Sequence, residues 1–190
     1  MKSNCILVLG KHGQVSSAIR DLDHPIKGIQ KFVFLSRKEI DFSVNFNDKF
    51  LYFIDRYKPC LVINAMAYTA VDKAEEEQQT AMKINGYSLY FISKICGERG
   101  IPLFHLSTDY VFNGINKNSW TPYDQRNPLG IYGLSKLFGE DLIKSNIRNF
   151  RTKAIIFRVS WVFNDKGKNF VRTILDLTKN NNFIKIVNDQ

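Results

Sequence analysis

Tyr132 and Lys136 stand four residues apart in the run Leu129-Gly130-Ile131-Tyr132-Gly133-Leu134-Ser135-Lys136. On a helix that spacing puts both side chains on one face. A phenol titrates at about 10, too high for acid–base work at neutral pH. A neighbouring ammonium stabilises the phenolate and lowers that value. The pair could then protonate a carbonyl oxygen as hydride arrives at carbon. The same spacing also occurs on exposed helices as a solvated pair, so its meaning depends on the surrounding residues.

Two other groups fit the same chemistry. Gly10-Lys11-His12-Gly13-Gln14-Val15-Ser16 follows the apolar run Cys5–Leu9 and opens a helical pattern. A dinucleotide pyrophosphate needs close backbone approach and N–H groups at a helix start. Gly10 and Gly13 present no side chain there. Glycines also make purely structural turns; the strand before and helix after are what point to a dinucleotide. Ser16 replaces the usual third glycine and is small enough for fairly close helix–strand packing. Ser107-Thr108-Asp109 ends another strand, and ligands of open α/β sheets bind at carboxyl strand ends. Thr108 is placed there to hydrogen-bond a carbonyl oxygen or the Tyr132 hydroxyl, or else to cap a turn.

The second strand ends Leu35-Ser36-Arg37-Lys38, where an acidic residue would favour NAD. Arg37 could hold a 2′-phosphate and Ser36 hydrogen-bond it. NADPH is therefore the expected cofactor, with NADH as the alternative; otherwise Arg37 and Lys38 are solvated loop charges. Asp41 and Phe42 follow, placed to flank an adenine, unless Phe42 is only a core anchor.

The elements that must position these groups are read from periodicity. Strands are expected at Cys5–Leu9, Phe32–Leu35, Leu61–Asn64, Pro102–Leu106, Ala154–Arg158 and Phe183–Val187. They lack strict polar alternation, as strands buried on both faces do. Helical faces are expected from Val15, Ala18, Ile19 and Leu22; from Phe46, Phe50, Phe53, Ile54 and Tyr57; from Ala81, Ile84, Ser88, Ile92 and Ile95; and from Phe170, Val171, Ile174 and Leu175. This alternation predicts one α/β domain over 1–190: a doubly wound Rossmann-type parallel sheet with helices on both faces. Asn113 to Pro128 reads as a long loop, a frequent place for function.

The composition is that of a globular domain, 44% hydrophobic and 24% charged. No apolar run is long enough for a transmembrane helix, and the first apolar run leads into a glycine turn, so no membrane partner and a cytoplasmic location are expected. The net charge of +9 comes from scattered lysines without interleaved aromatics, which reads as a solvated surface and predicts no nucleic-acid partner. Cys5, Cys60 and Cys96 have neither metal nor redox spacing and read as reduced core residues.

Longer motifs carry a resemblance. Gly-Lys-x-Gly-Gln-Val at 10–15, Asn-Ala-x-Ala-x-Thr-Ala-Val-Asp-Lys-Ala-Glu at 64–75, Ser-Thr-Asp-Tyr-Val-Phe at 107–112, Tyr-Gly-x-x-Lys at 132–136, Arg-x-Ser-Trp-Val-Phe at 158–163 and the final Val-Asn-Asp-Gln resemble the dTDP-4-dehydrorhamnose reductases. The resemblance implies an extended short-chain dehydrogenase. It would reduce the 4-keto group of dTDP-6-deoxy-L-lyxo-4-hexulose to dTDP-L-rhamnose, using NADPH. It implies Thr108, Tyr132 and Lys136 as catalytic residues, and Gly13, Gln14, Val15, Asp41, Phe42, Ala67, Tyr68 and Thr69 along the cofactor. Asp109 and Trp161 match substrate-contacting positions; Trp161 suits stacking on a sugar face, with core packing as its other reading. Related 4,6-dehydratases place a Glu after the strand-end Thr-Asp. Tyr110 stands there, which implies plain carbonyl reduction. Relatives with an intersubunit divalent ion carry an acidic residue in the first helix. Ala18 stands near that place, so no metal site is expected. Family members extend beyond this length, and the missing segment would supply much of the dTDP wall. A cofactor-binding remnant or regulatory subunit, or a different sugar-nucleotide ketoreductase or epimerase, is the alternative reading, and a homodimer is left open.

Overall fold

The computed structural model describes residues 4–22, 26–115, 118–167, 169–179, 181 and 183–186. Among them, β1 (Cys5–Leu9), β2 (Lys31–Leu35), β3 (Leu61–Asn64), β4 (Leu103–Thr108) and β5 (Ala154–Val159) form one parallel sheet in the order β2-β1-β3-β4-β5. The helices are α1 (Gln14–Arg20), α2 (Asn47–Tyr57), α3 (Val71–Glu76), α4 (Gln78–Met82), α5 (Ser88–Glu98), α6 (Ile131–Phe150) and α7 (Phe170–Thr178).

All five residues of β1 are buried, as its unbroken apolar sequence requires of a strand covered on both sides. The alternation of β2 separates the two faces. Val33 and Leu35 join the core with Phe50 and Ile54 of α2 and with Leu89 and Ile92 of α5. Phe34 points the other way, where the Arg20 guanidinium of α1 lies 5.3 Å from its ring centre. Helices thus cover both faces, and the fold is Rossmann-like. Burying one such core side chain stabilises the fold by about 1.5–3 kcal/mol relative to leaving it exposed. Chain order reverses between β1 and β3, so the crevice lies at the carboxyl ends of those strands.

Three expectations are corrected. Residues 183–186 are not a strand: they pair with no ladder among the described residues, and Phe183 is 93% exposed. Apolar content alone does not make a strand without hydrogen-bonded neighbours. Val187 lies outside the described residues. The helical face through Ala81, Ile84 and Ser88 is interrupted by a π-helical turn at Lys83–Tyr87, which buries Asn85 and Gly86 and leaves Ile84 half-buried. Cys60 is only half-buried, while Cys5 and Cys96 are core residues; all three thiols are free. The long loop expected from Asn113 follows Phe112, whose ring stacks on Trp120 with centres 4.6 Å apart. No helix among the described residues is long and apolar enough to cross a membrane.

Candidate active site

Two adjoining cavities of about 460 and 580 Å³ run along the carboxyl ends of the strands and share His12, Gly13, Ala65, Met66, Ala67 and Thr69. Gly10, Gly13, Ser36, Arg37, Asp41, Phe42, Ala67, Tyr68 and Thr69 line the first. Gln14, Val15, Thr108, Asp109, Tyr132, Lys136 and Trp161 line the second. Every sequence-predicted site residue therefore borders one continuous groove.

The glycine turn fits a bulky ligand because side chains are excluded there. Gly10 has φ +94°, and a Cβ on it would meet the Ala65 carbonyl oxygen at 2.8 Å. Three N–H groups of the turn are already engaged. Gly10 and Lys11 both donate to the Leu35 carbonyl, and Gly13 donates to that of Gly10, each at 3.0 Å. These bonds tie the end of β1 to the end of β2. Ser16 is fully buried, as close helix–strand packing requires, and its hydroxyl has no partner among the described residues.

At the end of β2 the expected phosphate ligands already have carboxylate partners. Ser36 donates its N–H and its hydroxyl to Glu39 Oε2, at 2.7 and 2.5 Å. These bonds hold the Glu39 carboxyl below its usual range. Arg37 Nε donates to Asp41 Oδ2 at 2.9 Å. The Arg37 side chain is 74% exposed, and an exposed pair of this kind contributes at most about 1 kcal/mol. An incoming anion can displace it. Phe42 is buried against Phe46 and Phe50, so it is a core anchor that also forms part of the cavity wall.

The wall formed by residues 65–70 is fixed by Asn85 in the π-helical turn. Asn85 Oδ1 accepts from the Tyr68 N–H at 2.8 Å, and its Nδ2 donates to the Tyr68 carbonyl and to Ser135 Oγ, both at 3.0 Å. Ser135 lies between Tyr132 and Lys136 on α6, so one buried amide ties the first cavity to the helix lining the second.

In the second cavity Thr108, Tyr132 and Lys136 converge. A Cβ on Gly133 would strike the Tyr110 carbonyl, so this glycine lets the start of α6 approach the strand end. Tyr110 then packs edge-on against Tyr132, with ring centres 5.5 Å apart. Burial pushes the Tyr132 phenol above its ordinary value, and a hydrogen bond with Thr108 pulls it back down. Sequence spacing assigned that lowering to Lys136. In the structure Lys136 Nζ instead donates to the Leu106 carbonyl at 2.6 Å, and burial draws its ammonium down to about 8. Thr108 also donates to Asp109 Oδ1 at 3.0 Å, and Ser160 donates to Asp109 Oδ2 at 2.6 Å. Trp161 is not core packing: it is 56% exposed, touches Phe170, and has φ +49°. A left-handed conformation costs a non-glycine residue about 1–2 kcal/mol, and such strain clusters at ligand sites.

Sequence reading missed Asn85, Ser107 and Glu140. Ser107 Oγ donates to Glu140 Oε1 at 2.7 Å beneath the cavity floor. The signal available for Glu140 was its place one turn beyond Lys136 on the Tyr132–Lys136 face.

A family model described as the RmlD substrate binding domain matches residues 3–190. The chain belongs to this family. The dTDP-4-dehydrorhamnose reductase of Salmonella typhimurium is 36% identical over 187 residues, covering 97% of this chain and 60% of that protein. A crystal structure of dTDP-4-dehydrorhamnose reductase from Bacillus anthracis in complex with NADP superposes with a TM-score of 0.84 at 28% identity, covering 95% of this chain and 61% of that one. The Clostridium acetobutylicum ortholog superposes with a TM-score of 0.86 at 34% identity, covering 98% and 63%. The chain thus spans about 60% of the length of the curated RmlD relatives it matches.

Proposed function

We propose that this chain binds NADPH along the two cavities and reduces the 4-keto group of dTDP-6-deoxy-L-lyxo-4-hexulose, giving dTDP-L-rhamnose. The observation that carries this reading is the convergence of Thr108, Tyr132 and Lys136 on a groove continuous with the Gly10 turn. The names of the relatives, and the NADP in the Bacillus anthracis structure, support it. When bound, the nicotinamide supplies hydride.

The protein supplies the rest. Gly10, Gly13 and the start of α1 with Gln14 and Val15 receive the pyrophosphate. Ser36 and Arg37 exchange their carboxylate partners for the 2′-phosphate, while Asp41, Phe42, Ala67, Tyr68 and Thr69 enclose the adenosine and ribose. Thr108 holds the keto oxygen and keeps the Tyr132 hydroxyl aimed at it, and Tyr132 delivers the proton. Lys136 holds the nicotinamide ribose. Asp109 and Trp161 meet the sugar, the ring stacking on its face. The reading places the chain in the cytoplasm, with a nucleotide sugar rather than nucleic acid as its partner.

The test has two steps. Nicotinamide fluorescence should change when NADPH is added; no change at millimolar cofactor overturns the dinucleotide site. NADPH should then be consumed when the dTDP-4-keto sugar is added. Tyr132→Phe should slow that consumption by about 10²–10⁴-fold with cofactor binding intact. Unchanged turnover removes Tyr132 as the acid. Arg37→Ala should weaken NADPH far more than NADH.

A further inference from the structure

Three α6 side chains at four-residue intervals face the last three residues of β4. Tyr132 lines the same cavity as Thr108, Lys136 donates to the Leu106 carbonyl at 2.6 Å, and Glu140 accepts from Ser107 at 2.7 Å. The proposed reaction uses the first two and leaves Glu140 without a task. Yet Glu140 is fully buried and is the most heavily bonded carboxylate near the site. Arg158 donates to both its oxygens, Nε at 2.9 Å and the terminal nitrogen at 2.7 Å. Arg126 approaches at 3.3 Å and Lys144 at 3.8 Å. Arg158 also donates to the Pro122 carbonyl at 3.2 Å and lies 5.0 Å from the Phe112 ring centre. One carboxylate thus joins the catalytic strand end, the catalytic helix, β5 and the loop after residue 112.

Such a buried network is weak evidence for a role in stability. Desolvating a buried ion pair costs about as much as its Coulomb attraction returns, and apolar replacements are often neutral or better. What the network does fix is geometry: Ser107 precedes Thr108, and Glu140 lies one turn from Lys136. We propose that Glu140 is a positioning residue of this site, acting on Thr108 through Ser107 and on Lys136 across one helical turn. The proposal rests on the reductase reading and assigns a further residue to it.

The electrostatics agree in direction. Burial lowers Lys136, and the Glu140 charge opposes that. The other titratable groups against Lys136 are Tyr132 on α6 and His105 on β4. His105 is held well below its usual range by burial and by the Lys136 charge, so it stays neutral. For Glu140 itself, burial works against ionisation; hydrogen bonds from Arg158 and Ser107, with the charges of Arg158 and Lys144, hold it below the usual carboxylate range.

The experiment is NADPH binding by fluorescence across pH, for the wild type, Glu140→Gln and Glu140→Asp. Wild-type affinity should hold up to pH about 8 and fall above it. In Glu140→Gln the alkaline midpoint should drop by about one pH unit, because the charge that sustains the ammonium is gone. Glu140→Asp should recover at least half of that shift. A purely structural role would weaken binding equally at every pH and leave the midpoint in place, which overturns the proposal. Should Glu140→Gln fail to fold, Ser107→Ala tests the other arm: kcat should fall severalfold at unchanged NADPH KM, and an unchanged kcat counts against the proposal. Failure of the wild type to bind NADPH at any pH defeats the reductase reading, and this inference with it. Normal wild-type binding with an unmoved Glu140→Gln midpoint defeats the inference alone.

Discussion

Helix α6 buries Lys136, Glu140 and Asn146, whereas α7 buries no residue, although α7 has the more sharply divided apolar and polar sides. In α6 the charged and polar groups go inside because β4, β5 and α5 supply partners. Glu140 meets Ser107 and Arg158, and Asn146 donates to the Tyr90 carbonyl and to Ser93 Oγ, both at 2.7 Å. In α7, Val171 and Leu175 form an apolar stripe that stays 39% and 57% exposed. An amphipathic pattern says which side of a helix would be buried; whether a surface exists to bury it is a property of the assembled fold.

The contrast can be broken most directly by truncating one side chain on each helix. Ile143 on α6 is fully buried in the core, so Ile143→Ala should lower unfolding free energy by about 2–5 kcal/mol in urea titrations. Leu175→Ala on α7 should change it by no more than about 0.5 kcal/mol. Equal losses would mean that α7 is packed in solution. A second measurement sharpens the α6 side through Lys136. Its folded-state value, about 8, lies below the ordinary 10.5. Between those values the unfolded chain binds the proton more tightly, so stability should rise with pH through that window. Cofactor affinity should fall over the same window as the ammonium is lost, by about tenfold per unit once past the midpoint. Parallel trends in stability and affinity would contradict a buried, functional ammonium. A further effect belongs to α1, where the buried Ser16 hydroxyl has no partner among the described residues. Ser16→Ala removes an unpartnered hydroxyl and should raise stability by about 1 kcal/mol; a loss would reveal a hydrogen bond to Ser16.

Much of the site was legible before the fold. The glycine turn, the strand-end Thr108 and the Tyr132–Lys136 spacing each follow from local rules: where a side chain is excluded, where a strand stops, which residues share a helical face. The four strand segments from Cys5 to Leu106 and the Ala154 segment were legible for the same reason, since period and chain direction are written residue by residue. The sixth segment shows the limit. Residues 183–186 have strand-like composition and no ladder among the described residues, because composition does not create a neighbour.

What the sequence by itself determined is therefore the order of the elements and the identity of the groups along the groove. The tertiary structure decided how those groups are tuned. Burial raises the Tyr132 phenol and Thr108, not Lys136, opposes that rise, while the Lys136 ammonium is spent on a strand carbonyl. Glu140 acquires its partners from β4, β5 and the loop after residue 112. The physical reason is common to all of these. Spacing along the chain is local, but burial and most charge pairing depend on residues that meet only when the sheet and helices close around them.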